Sequence, residues 1–401
     1  MLTFGILKER KSPPDRRVVF SPKGLRKVQK RFPKVQFKVE KSAIRIFKDE
    51  AYQEEGFELT NDLSDCDVIL GVKEVPVVDL IPNRKYFFFS HTIKKQPYNR
   101  ELLRAVLQKN IELYDHETIV DKKNMRLIGF GYYAGVVGAY NGIRAFGMRQ
   151  KLFNLPKAET LKNQEELLSC LRSIDLPPIK IVVTGKGRVG KGVHEVLQKM
   201  GIKEVHPDSF VNENFEVPVF TQLDVLDYYR RKDAVRKNVT DFFKFPEDYK
   251  SVFQKFAKVS DIYMAGHFYG EGAPYIFTRE DAKEPEFKIK VVADISCDID
   301  GPVASTLRAS TIENPLYGYD PIREREVEFN DPDSITVMAV DNLPCELPAD
   351  ASEGFGEMFL QHVIPAFFNN DKDGILERAR ITKKGKLTNR FAYLQDYVDG
   401  N

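Results

Sequence analysis

The chain is poor in cysteine, carries no excess of either charge and contains no long unbroken apolar run, and each lack excludes a class of protein. Its four cysteines, Cys66, Cys170, Cys297 and Cys345, stand singly in 401 residues. They offer neither paired zinc ligands nor the density of a disulfide-built secreted domain, so all four are expected to be reduced bystanders. Lys and Arg total 61 and Asp and Glu 59, a formal net charge of +2, which generates no global field toward nucleic acid or an anionic membrane. The most apolar stretch, residues 131–140, is broken by glycines and too short to cross a ~30 Å hydrocarbon layer. The first residues lack a signal-peptide pattern, and a cytoplasmic protein with neither nucleic-acid nor membrane partners is expected. The histidines at 91, 116, 194, 206, 267 and 362 show no metal-ligand spacing, so no metal is expected.

What the chain does contain is α/β patterning over a length that divides into two domains, since single cores rarely grow beyond ~250 residues. LTFGIL reads as a first strand, and SPKGLRKVQKRF as a helix capped by Ser21, with Pro22 in its first turn and Leu25 and Val28 facing inward. A strand at 35–39 and a short helix around 49–55 follow. DVILGVKE and KYFFFSHT are continuous apolar runs ending in polar residues, as buried parallel strands do. YNRELLRAVLQKN reads as a helix capped by Asn99, then IELYD and MRLIGFG as strands. A domain boundary is expected near 120–140, with an interrupted helical connector over LFNLPKAETLKNQEELLSCLRSIDLPPIK. Beyond it, strands are expected near 202–205 and in DIYMAG, IKVVADIS and SITVMAVD. A helix presenting Tyr249, Val252, Phe253 and Phe256, and a late helix in GFGEMFLQHVIPAF, complete the reading.

The strongest motif is IVVTGKGRVGKGVHEVLQKM, in which Gly185, Gly187 and Gly190 separate an apolar strand from a helix with the stripe Val193, Val196, Leu197 and Met200. In a dinucleotide fold the first glycine makes the tight turn, the second admits the pyrophosphate and the third allows close helix-to-strand contact. A purely structural glycine turn is the alternative. An acid for the ribose hydroxyls is sought about 20 residues downstream, where Glu204 and Asp208 stand, although Pro207 intervenes and Asp208 reads equally as a loop cap. Lys186, Arg188 and His206 add positive charge nearby, and the choice between NAD and NADP stays open.

Two further groups lie just past apolar runs: Lys73 in ILGVKEVP and His91 in FFFSHTIKK. On neighbouring parallel strands their C-terminal ends share one crevice. A lysine that holds a carbonyl or imine as its ammonium, or acts as a base when desolvation lowers its pKa, and an imidazole that exchanges protons near neutrality suit hydride transfer at a carbon bearing nitrogen or oxygen. Taken singly, each reads more simply as solvated surface or a satisfied strand end. Arg16 and Arg17 precede another apolar stretch, where a guanidinium fork would grip a carboxylate or lie solvated. Glu74 and Glu117 either tune these groups or are peripheral, and Lys94 and Lys95 are candidate extra cations or a solvated basic pair.

Read together, GVKEVP, FFFSHTIKKQ, LYDHETIVD, IGFGYYAGVVG, VVTGKGRVGKG, VVADISCDID, STIENPLYGYD and AVDNLPCELPADASEGFG resemble one family, from about residue 4 to the C-terminus. The blocks are similar to the lysine-ketoglutarate reductase part of bifunctional aminoadipic semialdehyde synthases and to fungal lysine-forming saccharopine dehydrogenases. More distantly they resemble alanine dehydrogenase and the transhydrogenase alpha subunit. The resemblance implies two Rossmann-like doubly wound α/β domains with an active-site cleft between them. It implies a catalytic domain of residues 1–130 plus about 345–401 and a dinucleotide-binding domain of 131–344. It also implies NAD or NADP as cofactor, and the reversible conversion of lysine and 2-oxoglutarate to saccharopine.

Carried over by motif, Lys73 and His91 are the catalytic pair, and Arg17, Glu74 and Glu117 contact substrate. The family's glycine-rich turn coincides at Gly185, Gly187 and Gly190, with Asp341, Asn342 and Leu343 near the nicotinamide and Asp294 at a cleft-lining strand end; Arg188 and Val189 within the turn and Asp208 from the spacing complete the expected cofactor contacts. Because the sequence stops at Asn401, the second domain of the bifunctional enzymes is expected to be missing and a single step to be catalysed. An alanine-dehydrogenase-like amino-acid dehydrogenase and a non-catalytic, transhydrogenase-like nucleotide-binding subunit are the competing readings. Oligomeric state and reaction direction are not legible.

Overall fold

The apolar runs of the first 115 residues pair into one parallel sheet. In the computed structural model, which describes residues 1–270 and 272–400, this sheet contains β1 (Leu2–Ile6), β2 (Val35–Glu40), β3 (Glu58–Thr60), β4 (Val68–Leu70), β5 (Lys85–Phe88) and β6 (Glu112–Asp115). The order is β3-β2-β1-β4-β5-β6, with every neighbouring pair parallel. Helices α1 (Pro22–Arg31), α2 (Asp49–Glu54) and α3 (Arg100–Gln108) connect the strands. Ser21 Oγ accepts the Gly24 amide at 3.1 Å, and Pro22, Leu25 and Val28 are buried, so the start of α1 follows its sequence signals. Asn99 does not cap α3, because the preceding short turn, Pro97–Asn99, already carries it into helical dihedrals and its side chain makes no capping bond. Residues 125–130, expected as a strand, contribute only an isolated bridge between Val120 and Arg126. Ile128 there is buried in the core and Phe130 stacks on Phe355 at 4.5 Å, so packing rather than pairing fixes the segment.

The helix Pro348–His362 belongs to this same unit, which comprises Met1–Phe130 and Pro348–Asn401. Phe355 and Phe359 bury against Phe20, Phe87 and His116 with ring centroids 5.0–5.6 Å apart. Ser352 Oγ accepts the Val18 amide at 3.0 Å. Truncating one such aromatic costs about 3–5 kcal/mol in other proteins, so the C-terminal segment is integral to the first core.

The second unit is Gly131–Leu347. It holds α4 (Gly131–Gln150), α5 (Gln164–Arg172), β7 (Lys180–Thr184), α6 (Arg188–Lys199), β8 (Lys203–Glu204) and β9 (Val219–Leu223). A separate antiparallel pair, β10 (Tyr229–Arg231) with β11 (Tyr249–Ser251), precedes β12 (Ile262–Ala265), β13 (Val291–Asp294), β14 (Leu316–Asp320), β15 (Arg325–Val327) and β16 (Ile335–Met338). The main sheet runs β15-β14-β16-β13-β12-β7-β9-β8, parallel from β16 to β8 and antiparallel at β14 and β15. Tyr249 lies in β11 and not on the expected helix, which is only the turn Gln254–Ala257; its hydroxyl donates to Asp241 at 2.8 Å and its ring packs on Phe242. The glycines of the 131–142 stretch serve helix packing. A Cβ on Gly135 would lie 2.0 Å from the Val189 carbonyl and one on Gly192 2.1 Å from the Tyr132 carbonyl, so α4 and α6 cross backbone to backbone. Among the described residues no helix is long and apolar enough to cross a membrane.

Candidate functional site

In the first unit the chemistry gathers at the C-terminal ends of β4, β5 and β6, which are adjacent and parallel. Pairing continues past the strands, with the Phe89 amide donating to the Val72 carbonyl at 2.9 Å. That register brings the Lys73–Glu74 and His91 tips side by side. His91 Nδ1 donates to Glu74 Oε1 at 2.6 Å, and Lys11 Nζ holds Glu74 Oε2 at 3.0 Å. Burial would push the Glu74 carboxyl upward, but the hydrogen bond and charge of His91, with Lys11, bring it down to about 2. The glutamate is therefore an anion that orients one ring nitrogen. Lys73 is half-buried, and its charge acts on Asp15.

Arg17 is buried and its carboxylate partner is Asp15, through Nε–Oδ1 at 3.0 Å and Nη2–Oδ2 at 2.6 Å. The guanidinium also lies 4.3 Å from the centroid of the Phe130 ring. Burial raises the Asp15 carboxyl, yet the charge and hydrogen bonds of Arg17 outweigh it and hold the group at about 2. Glu117 follows β6, with Oε1 2.9 Å from Arg126 and 3.6 Å from Lys94. Its Oε2 is buried without a hydrogen-bond partner among the described residues, an acceptor suited to a substrate ammonium. Lys95 is placed differently, over the Tyr393 ring at 5.6 Å. His116 is enclosed by Phe89, Phe355 and Phe359 and donates to the Gly71 carbonyl at 2.9 Å. Burial lowers it to about 4, so it is a neutral structural imidazole that ties β4 to β6.

The second unit presents backbone. Gly185 has φ +93°, and a Cβ there would lie 2.5 Å from the Gly266 carbonyl; one on Gly190 would lie 2.0 Å from the Gly185 carbonyl. Gly187, the residue before α6, would place a Cβ within 4 Å of nothing, so the concavity in front of it is open to a ligand. The first turn of α6, at Arg188, Val189 and Gly190, is the positive end of a 12-residue helix, which favours an anion. Two tight glycines and one exposed glycine at a helix start fit the pyrophosphate of a dinucleotide. Gln222 Nε2 braces the turn by donating to the Gly185 carbonyl at 2.9 Å, and the Gly185 amide donates to the Leu223 carbonyl at 3.0 Å.

Asp208 does not stand at a strand end beside β7. It is exposed in the first turn of the helix Pro207–Asn212, past the outermost strand β8. On that side of the sheet the strand hydrogen-bonded to β7 is β9, and the acid that follows it is Asp224. The reason is a detour: the chain leaves α6 to the sheet edge at β8 and returns only at β9, so counting 20 residues lands on the wrong side of the insertion. The apolar-polar run VFTQL followed by Asp224 carried the signal. Asp341 is exposed and Asn342 half-buried beyond β16, whereas the Leu343 side chain is packed in the core containing α4 residues. Asp294 is buried and engaged by Ser296, Cys297 and Thr306, so it ties loops rather than facing a ligand. His267, passed over as a non-metal histidine, lies against the turn: its Nδ1 meets Thr184 Oγ1 at 3.0 Å, and its Cα would be 2.8 Å from a Cβ on Gly185. Burial lowers its pKa to about 3. No group of three His, Cys, Asp or Glu among the described residues is arranged to hold a metal.

Known proteins share this architecture. The family described as "Alanine dehydrogenase/PNT, N-terminal domain" matches residues 5–137. A solved L-alanine dehydrogenase superposes with a TM-score of 0.67 at 16% identity, covering 99% of both chains. A transhydrogenase from Sinorhizobium meliloti gives 0.59 at 14% identity, over 96% of this chain and 98% of that one. The chain has the alanine dehydrogenase/PNT superfamily fold, with two Rossmann-like units. Its sequence relatives include the mitochondrial alpha-aminoadipic semialdehyde synthase of Mus musculus, 28% identical over 95% of this chain and 46% of that protein. The synthase of Arabidopsis thaliana is 28% identical over 89% of this chain and 37% of that protein. The NAD(+), L-lysine-forming saccharopine dehydrogenase of Yarrowia lipolytica is 25% identical over 81% and 82%. The chain thus spans less than half the length of the synthases it matches.

Proposed function

We propose that the chain catalyses the NAD(P)H-dependent condensation of L-lysine with 2-oxoglutarate to saccharopine, together with its reverse. The observation that carries this reading is the Glu74–His91 hydrogen bond beside Lys73, at the ends of two neighbouring parallel strands. Similarity to the semialdehyde synthases and to the lysine-forming dehydrogenase supports the choice of substrates.

The ε-amine of lysine adds to C2 of 2-oxoglutarate, the former carbonyl oxygen leaves as water, and the resulting imine is reduced at C2 to a secondary amine. His91, its ring fixed through Nδ1 by Glu74, exchanges protons at Nε2 with the amine and the departing oxygen. Lys73 holds the carbonyl oxygen and then the imine by a charged hydrogen bond. Arg17, oriented by Asp15, anchors a substrate carboxylate, and Glu117 Oε2 accepts from a substrate ammonium. When bound, NAD(P)H supplies the hydride. Gly185, Gly187 and the first-turn amides of α6 at Arg188, Val189 and Gly190 hold its pyrophosphate, while Asp341 and Asn342 contribute near the nicotinamide. Asp224, at the tip of the strand paired with β7, accepts the ribose hydroxyls and repels a 2'-phosphate, so NADH is the preferred form.

Initial rates of NADH and NADPH oxidation with lysine plus 2-oxoglutarate, against pyruvate plus ammonia, test the proposal. Turnover in the first mixture is expected. Turnover confined to the second would replace this reading by an alanine-dehydrogenase-like one, and nucleotide binding without turnover in either by a non-catalytic subunit.

A further inference from the structure

Lys73 and His91 each lie just beyond a strand end, where water ordinarily satisfies the last backbone amides. Here buried carboxylates do so instead. Glu9, which follows β1, accepts the Val72 amide on Oε1 at 2.7 Å and the amide of Lys73 itself on Oε2 at 2.8 Å. Asp115, the last residue of β6, accepts on Oδ2 the amides of Ser90 at 2.9 Å and His91 at 3.2 Å and the Ser90 hydroxyl at 2.5 Å. Its Oδ1 accepts the Glu117 amide at 2.7 Å. β1 flanks β4 and β6 flanks β5, so each tip is gripped by the strand on its outer side. Glu9 is 8% exposed and Asp115 fully buried, and sinking carboxylates into a core is costly unless every lone pair is used. His91 itself is held at φ +53°, a left-handed backbone that a residue with a Cβ rarely adopts and that its surroundings must enforce.

We propose that Glu9 and Asp115 are positioning residues, a matched pair of buried carboxylate clamps that set the Lys73 and His91 tips at the height where ammonium and imidazole address one reacting atom. The inference rests on the Lys73–His91 reading above. Neither carboxylate touches substrate; each acts through the backbone that carries the working side chain. Asp115 does so twice, since the same carboxylate that bends His91 into place also fixes the amide of Glu117. The clamps explain why a strained histidine and a lysine three residues beyond its strand can be registered without glycine or proline at either position.

Asp115→Asn and Glu9→Gln replace an acceptor by an amide group that opposes the backbone N–H. Each is expected to lower kcat at least tenfold, with the dissociation constant for NADH, read by fluorescence on the second unit, moving less than twofold. Proton NMR of the protein without substrate supplies a readout that stability alone does not move. The imidazole N–H bonded to Glu74 should give a downfield resonance, identified by its loss in Glu74→Gln, that disappears or shifts in Asp115→Asn. Should Asp115→Asn fail to fold, Ser90→Ala removes only the hydroxyl donor, and the resonance should shift with a two- to fivefold fall in kcat. Folded variants that retain both kcat and the resonance would overturn the proposal, as would a lowered melting temperature with unchanged turnover. Wild type showing the resonance but no turnover with lysine and 2-oxoglutarate would instead count against the proposed reaction and leave the clamp standing.

Discussion

The two units build sheets with closely related strand orders, yet their strand ends offer opposite materials. At the β4–β5–β6 ends of the first, charged side chains converge and buried carboxylates hold the backbone beneath them. At the β7–α6 turn of the second, glycines leave the backbone itself open. On the proposed reaction, the difference follows from what each would bind. A dinucleotide pyrophosphate is a fixed anion that amides and a helix start can cradle without changing state, whereas forming and reducing an imine needs groups that gain and lose protons. The same α/β frame thus becomes a holder or a catalyst according to whether glycine or an ionisable residue occupies the strand tip.

Breaking the two tips separately should have different signatures. Lys73→Met keeps the apolar stem and removes the charge; kcat should fall on the order of 10³, with NADH affinity unchanged in a fluorescence titration. Gly190→Ala forces a methyl to 2.0 Å from the Gly185 carbonyl. Overpacking of this kind costs roughly 1–3 kcal/mol, so calorimetry should show NADH affinity reduced about tenfold or more, while the His91–Glu74 resonance persists. Asp224→Ser should narrow the preference for NADH over NADPH about tenfold, some 1.4 kcal/mol, measured as the ratio of the two kcat/KM values. A ratio unmoved by this change but altered in Asp208→Ser would return the ribose site to the sheet edge.

The smallest effect concerns pH. Burial raises Glu9 from 4.5 to about 7, with Asp15 adding to the rise and the Val72 and Lys73 amides and Arg17 opposing it. Across that interval the folded chain keeps a proton that the unfolded chain releases, so this group's contribution to stability declines as pH rises from 4.5 through 7. Glu74 has the opposite sign: its stabilisation is present above 4.5 and is lost as pH falls toward 2. Denaturant melts from pH 4.5 to 8 should show the wild type losing stability relative to Glu9→Gln, and parallel curves would remove the buried proton from the account.

Much of the frame was legible because its signals are local. Continuous apolar runs announced β4 and β5, Ser21 and Pro22 announced α1, and the glycine spacing announced the β7–α6 turn. What escaped depends on distant partners. β9, Val219–Leu223, is interrupted by Thr221 and Gln222 and so is no continuous apolar run, and only pairing with β7 makes Asp224 adjacent to the glycine turn. Glu9 and Asp115 look like ordinary charges at element ends until the neighbouring strands supply their amide partners. Tyr249 and residues 125–130 were misread because an aromatic or apolar cluster shows burial without choosing between strand, turn and helix.

The proposed reaction requires both the Lys73 and His91 tips and a bound NADH in each turnover. It is tested most directly by supplying lysine, 2-oxoglutarate and NADH carrying deuterium at the transferable C4 position, and weighing the product by mass spectrometry. The account predicts saccharopine one deuterium heavier, with the label on the glutarate-derived carbon next to nitrogen, and almost none from Lys73→Met. NADH consumed with no deuterium in any lysine-derived product would contradict it.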